Sequence, residues 1–308
     1  MHILFVVSSH NGLSQRLQCE LQQQNHQIEI FEPSSPESIV PVVDRYKPDL
    51  IVAPFLKMGI PNVVWQNYVC LILHPGIKGD RGPSSLDWAI MKDLPVWGVT
   101  VLQAAEEMDA GDIWATAEFE RPEVSKSMLY RHEVTTAAIK AIHEAISNFQ
   151  NKDFKPESLD YGNPKIKGRW NDPVKRKDRA FDWSEASADI IRKVRAADSN
   201  PGLLETRIFD QPYFMYGAHA ESIMKGTPGE IIAKRDGAIC VGTGDGSLWI
   251  SHLKARQGGI KRKAAKVMEP WLNDIPEVPL DPFDTYPGQD TFREIWVEEE
   301  HEICTINF

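Results

Sequence analysis

ILFVV at residues 3–7, DLIVAPF at 49–55 and VCLIL at 69–73 are short runs in which apolar residues do not alternate with polar ones. A strand of this kind has nothing to offer water on either face, so the sheet that contains it must be covered on both sides. The intervening segments supply the cover. Leu13, Leu17 and Leu21 recur at helical spacing around residues 14–24, and SPESIVPVVDRY (35–46) and NVVWQNY (62–68) read as further helices, with IEIF (28–31) as an extra short strand. Strands alternating with helices predict an α/β unit built on a parallel sheet.

Beyond residue 84, SLDWAIMK reads as a helix, WGVTVLQ and DIWATAEF as strands, and residues 127–149 as one long helix that closes a first domain over 1–150. Residues 151–180 are rich in Pro, Gly and basic side chains. Between 165 and 179 seven basic residues stand against two acidic ones, the character of a solvated linker. Residues 181–265 begin with a helix whose N-cap is expected at Ser184, and continue with short strands separated by Gly-rich turns, the pattern of a small OB-like β-barrel. From 266 to 291 prolines accumulate, which predicts an extended connector. Residues 292–308 alternate like two strands, too few to be stable alone, so the sequence reads as the front of a longer protein.

The 308 residues suit two domains, and 42% apolar with 25% charged residues is the composition of a soluble globular chain. A net charge of −10 argues against broad attraction to nucleic acid or anionic lipid. The four cysteines form no CxxC pair, so neither a metal site nor a disulfide framework is expected. With no signal-peptide core and no membrane-length apolar run, a cytoplasmic location is expected.

The stretch LILHPGIKGDRGPSS (71–85) carries the chemistry. His74 stands one residue past a buried strand, at the strand edge where open α/β sheets bind ligands. Pro75 and Gly76 end the strand, and Gly79 and Gly82 let backbone N–H groups approach a ligand. On the residues alone, an isolated histidine here is better explained as a strand-capping group, and the MDAGDI turn (108–113) as a set of carboxylates accepting backbone N–H bonds.

Taken together, His74-Pro75-Gly76, Arg81-Gly82-Pro83, Trp88-Ala89-Ile90, Gly98-Val99-Thr100 and the turn 108–113 resemble the formyltransferases that use 10-formyltetrahydrofolate. Asp182-Trp183, Arg195-Ala196, Pro201-Gly202 and Pro228-Gly229 resemble the C-terminal barrel domain of methionyl-tRNA formyltransferase. Within this family the segment APFLK and the tail resemble hydrogenase maturation factors, which join a formyltransferase-like front to an enoyl-CoA-hydratase-like back. The resemblance implies a Rossmann-like formyltransferase domain followed by the barrel. It also implies formyl transfer from 10-formyltetrahydrofolate to coenzyme A as the first step in making carbon monoxide for nickel-iron hydrogenase. A methionyl-tRNA formyltransferase and a non-catalytic folate-binding module are the alternatives.

On the same resemblance, His74 and Asp109 form the catalytic pair, and Leu56, Lys57, Met58 and Met108 contact folate. From their places in the chain, and because a phosphate-bearing acceptor calls for positive or amide side chains, Gln15 in the first helical turn, Arg131 on the long helix and Ser199 in the joint before the barrel are expected as acceptor or coenzyme A contacts; Asp112, sharing the turn, reads as structural. The departure is Ile72: relatives carry an asparagine two residues before the histidine, whose amide donates to the developing oxyanion, and isoleucine cannot donate. Lys78, Ser8, Ser9, Asn11 and free N–H groups after His74 are the possible substitutes.

Overall fold

In the computed structural model, residues 1–198, 201–208 and 211–278 are described. The first half alternates β1 (His2–Val6), α1 (Gly12–Gln23), β2 (Gln27–Phe31), α2 (Ile39–Tyr46), β3 (Leu50–Ala53), α3 (Asn62–Trp65), β4 (Cys70–His74) and α4 (Ser85–Met91). It then forms β5 (Val96–Gln103), β6 (Ile113–Glu120), α5 (Lys126–Leu129) and α6 (Thr135–Gln150). The strands lie in the order β2-β1-β3-β4-β5-β6. β2, β1, β3 and β4 are parallel, while β5 and β6 run antiparallel to their neighbours. The reversal at the β5–β6 pair follows from the chain: no helix intervenes, and a direct connection returns a strand antiparallel.

The uninterrupted apolar runs are buried as their composition requires. Ile3, Leu4, Phe5 and Val6 of β1 are all 0% exposed. Ile3 and Phe5 face a core shared with Leu13, Leu17 and Leu21 of α1 and with α6. Leu4 and Val6 face the other way, towards Ile39 and Val43 of α2. The same alternation on β4 sends Leu71 and Leu73 to the first core and Cys70 and Ile72 to the second. His74 therefore shares the face of Ile72.

The expected long helix is divided. α5 passes into α6 through a wide five-residue turn, Tyr130–Val134, in which Thr135 Oγ1 donates to the Tyr130 carbonyl at 2.8 Å. Such wide turns insert a residue into a helix and recur at functional sites.

The second half contains α7 (Ser187–Ala197), β7 (Leu203–Glu205), β8 (Tyr213–Glu221), β9 (Ile231–Arg235), β10 (Ala238–Gly242), β11 (Ser247–Ala255), β12 (Arg262–Lys263) and α8 (Ala264–Val267). Its sheet runs β7-β8-β11-β10-β9, with β12 on β11, all antiparallel and barrel-like. Ile190, Val194 and Ala197 of α7 pack into the core of this sheet with Met215, Leu248 and Ile250.

Three further features differ from the sequence reading. Ser184 does not cap α7, which starts at Ser187 after Ala186; Asp182 Oδ1 instead accepts from Ser184 N–H and Oγ at 3.0 and 2.8 Å, making a local turn. The segment expected to be an extended connector packs onto the barrel-like sheet as far as Val278, whose N–H donates to the Lys234 carbonyl at 2.9 Å. Met268 and Leu272 are buried there. The remainder of that segment and the two-strand tail lie outside the described residues.

The basic linker keeps most of its basic side chains exposed, but its backbone is not free. Ile113 and Glu157 exchange backbone hydrogen bonds of 2.7 and 2.9 Å, and the chain then runs back alongside residues 78–82, with Gly168 N–H on the Lys78 carbonyl and Asn171 N–H on the Arg81 carbonyl. Glycine makes this approach possible: a Cβ on Gly168 would lie 1.9 Å from the Asp80 nitrogen. Arg179 closes the linker onto α4 by donating to Asp87 at 2.5 Å, a carboxylate also bound by Lys126.

Candidate functional site

His74 ends β4 at the carboxyl edge of the parallel strands, and its ring is held on both sides. Nε2 is 2.8 Å from Asp80 Oδ2, and Nδ1 is 3.5 Å from Asp109 Oδ2. His74 is 5% and Asp80 2% exposed, whereas Asp109 is partly open. The loop after the strand is fixed by β5. Trp97 Nε1 donates to the Pro75 carbonyl at 2.9 Å, and Thr100 Oγ1 to the Gly76 carbonyl at 2.9 Å.

Asp80 was not among the residues nominated from sequence, and in the structure it makes the shorter contact with the histidine. Its Oδ1 accepts from Asn171 Nδ2 at 3.0 Å, and its Oδ2 lies 2.6 Å from Ser85 Oγ. The signal available in sequence was its place between Gly79 and Gly82, but an acidic residue between glycines reads first as a turn.

Asp109 lies in the left-handed region, φ 53°, a conformation that aspartate tolerates better than most residues. Its turn is pinned from the His74 loop: Arg81 Nε donates to the Met108 carbonyl at 2.8 Å, Arg81 pairs with Glu107 at 3.1 Å, and Gly82 N–H donates to Asp109 Oδ2 at 3.1 Å. Residues 80–82 therefore fix both carboxylates that face the ring.

This placement sets the histidine's charge. Burial pushes the imidazole pKa down, but the hydrogen bond to Asp80 and the charges of Asp109 and Asp80 outweigh it, and the balance is raised above the ordinary histidine value. With Nε2–H directed at Asp80, Nδ1 is the nitrogen on the Asp109 side.

The other nominated residues fall into two groups. Leu56 and Ile72 pack in one apolar cluster with Ile60 and Ala104. Lys57 N–H donates to Ser8 Oγ at 2.8 Å while its ammonium sits over the Phe55 ring; Met58 is half-buried, and Met108 is 57% exposed beside Asp109. Gln15 lies in the first turn of α1, where its Nε2 donates to the His10 carbonyl at 2.9 Å, and Arg131 is exposed in the wide turn. Asn11 and Tyr130 link these two places, 3.5 Å apart. Ser199 lies outside the described residues.

Two of the possible substitutes for the missing amide are engaged elsewhere. Lys78 donates to Glu157 at 2.6 Å, and Asn11 caps α1 by accepting the Ser14 N–H at 3.1 Å. Ile72 itself sits between Ala53 and Leu102 in the sheet, an apolar setting. Among the described residues, His10 Nε2 and Glu133 Oε2 are buried polar atoms without a hydrogen-bond partner, one in the loop before α1 and one in the wide turn.

Comparison with known proteins agrees with this architecture. Residues 1–146 match the model of the formyl transferase family and residues 173–267 that of the formyl transferase C-terminal domain, with 147–172 between them. The chain is 38% identical over 281 residues to hydrogenase maturation factor HoxX of Bradyrhizobium diazoefficiens, covering 91% of this chain and 49% of that protein. The structure of HypX from Aquifex aeolicus in complex with tetrahydrofolic acid superposes with a TM-score of 0.83 at 41% identity, over 92% of this chain and 50% of that one. The chain thus spans about half the length of these two relatives. Methionyl-tRNA formyltransferase of Bacillus velezensis is 23% identical over 237 residues, covering 75% of this chain and 74% of that enzyme. With both regions matched in order, and with the strand, loop and turn that carry His74 and Asp109 inside the first, the chain belongs to the formyl transferase family.

Proposed function

We propose that this chain takes the formyl group from 10-formyltetrahydrofolate and passes it to coenzyme A, as the first step of carbon monoxide ligand synthesis for nickel-iron hydrogenase. The observation that carries the reading is a buried histidine between two carboxylates at the ligand edge of the sheet. The likeness to HoxX and to HypX with tetrahydrofolic acid supports the folate and the maturation role. A cytoplasmic setting and an enoyl-CoA-hydratase-like partner domain belong to the same proposal.

In this reaction the thiol sulfur attacks the formyl carbon, the bond from that carbon to N10 breaks, and the thiol proton ends on N10 of tetrahydrofolate. The passing intermediate carries an oxyanion. His74, whose pKa Asp80 and Asp109 raise, donates in its protonated form from Nδ1 to that oxygen and takes over the electrostatic role of the amide that Ile72 cannot supply. Asp109, the more open carboxylate, receives and returns the travelling proton. Asp80 stays a buried acceptor. Leu56, Lys57, Met58 and Met108 contact the folate.

For the acceptor, Gln15, Arg131 and Ser199 contact coenzyme A. The unpartnered His10 Nε2 and Glu133 Oε2 near the first two support a polar ligand there. Arg169 and Arg179 of the basic segment are spent on internal carbonyls and on Asp87, which weakens the segment as a tRNA footprint and favours a small anionic acceptor. The test is incubation with 10-formyltetrahydrofolate and coenzyme A, followed by mass spectrometry for the formyl thioester. Its His74-dependent appearance supports the proposal. Salt-sensitive tRNA formylation in its place selects the methionyl-tRNA reading, and folate binding without turnover selects a non-catalytic module.

A further inference from the structure

The described linker has a chemical as well as a connecting role. Asp80 is 2% exposed, so its carboxylate has to be satisfied by protein groups, and Asn171, 91 positions further along the chain, supplies the contact to Oδ1. Asn171 is itself locked. Its N–H donates to the Arg81 carbonyl at 3.0 Å, and its Oδ1 accepts from Lys92 Nζ at 2.7 Å. The ammonium can only donate, which turns the amide nitrogen towards Asp80.

The flanking contacts leave little play. Arg81 N–H donates to the Arg169 carbonyl at 3.2 Å, and Trp88 Nε1 to the Asp172 carbonyl at 2.8 Å. A Cβ on Gly82 would lie 2.2 Å from the Asn171 carbonyl oxygen, so the two strands meet backbone to backbone. A carboxylate held at one oxygen by a fixed amide presents its other oxygen in a fixed direction, here to His74 Nε2.

We propose that Asn171 is a positioning residue for His74, acting through Asp80, so that the segment between the two folded units completes the site of the first. This rests on the reading of His74 as the charged group of formyl transfer. Asn171 touches no reacting atom. Its removal leaves Asp80 Oδ1 without its amide donor and the carboxylate held only at Oδ2, by Ser85 Oγ at 2.6 Å, which loosens its orientation, lengthens the hydrogen bond to Nε2, and lets burial pull the imidazole towards its neutral form.

The test uses the full chain with Asn171→Leu, which keeps the side-chain length and removes the donor, and Asn171→Ser, which keeps a small polar group too short to reach Asp80. His74 ring resonances, assigned from a His74→Gln spectrum, are titrated by NMR, and formyl release is measured alongside. In both variants the His74 midpoint falls by about half to one pH unit. The kcat for release falls roughly 10-fold with KM for the folate within about two-fold, as is usual for loss of an outer supporting contact. In an Asp80→Asn background, Asn171→Leu moves the His74 midpoint no further, because the carboxylate it served is gone.

An unchanged His74 midpoint in a folded Asn171→Leu or Asn171→Ser protein overturns the proposal. So does an Asn171→Leu shift of equal size with and without Asp80. The titration needs no substrate, so a protein that releases no formyl group but shows the shift refutes the proposed function and leaves this inference standing.

Discussion

Gly76→Ala places a single methyl group inside the contact on which the site depends. A Cβ on Gly76 would lie 2.4 Å from Asp80 Oδ2 and 2.5 Å from His74 Nε2, the two atoms whose hydrogen bond is 2.8 Å long. An ordinary contact for such a methyl is about 3.4 Å or more, so both groups must retreat by roughly 1 Å, beyond hydrogen-bond range. A buried charge-assisted hydrogen bond is worth about 1.5–3 kcal/mol, and overpacking a fixed site about 1–3 kcal/mol. Together they give an expected loss of roughly 2.5–6 kcal/mol. Part of it depends on pH. The folded His74 pKa is raised, so its stabilising contribution is complete below the ordinary value of about 6.5 and is lost as pH rises through the folded value. In the variant, burial remains without the Asp80 bond, so this contribution disappears. Urea unfolding should therefore show a larger deficit against wild type at pH 5.5 than at pH 9. Gly246→Ala is the control, since its added Cβ meets nothing closer than 3.7 Å. If Gly76→Ala matches the control, or if its deficit is the same at both pH values, the His74–Asp80 contact does not set the charge of the histidine.

Three further outcomes are expected. His74→Ala and Asp109→Asn each reduce formyl release by about 100-fold or more, measured as tetrahydrofolate formed, while circular dichroism shows the fold retained. Gly168→Ala, whose Cβ would meet backbone 1.9 Å away, costs about 1–3 kcal/mol and lowers kcat in parallel, because the strand carrying Asn171 is forced off the His74 loop; a stability loss without a kcat loss contradicts this. Ile72→Asn costs about 1–3 kcal/mol in urea unfolding, because a polar group enters an apolar cluster, yet it raises kcat most at high pH, where His74 is neutral and the substitute amide is needed. A pH profile parallel to wild type would show that His74 does not stand in for the amide.

The legible part of the fold was the part set by burial of continuous apolar runs. ILFVV, LIVA and CLIL have one stable use in a soluble protein, and their connections left few topologies open. The proximity of His74 and Asp109 was legible because strand end and turn are local features, and the chain brings the two within 3.5 Å. Asp80 and Asn171 were not, since their meaning depends on a contact across 91 positions. Nothing in NPKIKGRWND announces that its glycine permits backbone contact with the GDRG loop rather than loose solvation. Ser184 misled for a related reason: Ser-x-x preceding an apolar run fits a cap, but an aspartate two residues earlier competes for the same hydroxyl.

The loop that holds His74 shows why the linker could not have been free. Residues 75–85 must present Asp80 inward and Gly82 N–H towards Asp109, yet the loop has its own backbone groups to satisfy, and β5 reaches only Pro75 and Gly76. The Lys78 carbonyl and the Arg81 N–H and carbonyl find their partners in Gly168, Arg169 and Asn171. Without that strand, these groups would turn to water, and the Asp80 carboxylate, more strongly hydrated than any of them, would turn with them. His74 would then keep its burial but lose the nearer of its two counter-charges, and its pKa would move down rather than up. Asp80 and Asp109 thus set the histidine's charge, and the segment between the two regions of family likeness supports it indirectly, by holding the loop that carries Asp80.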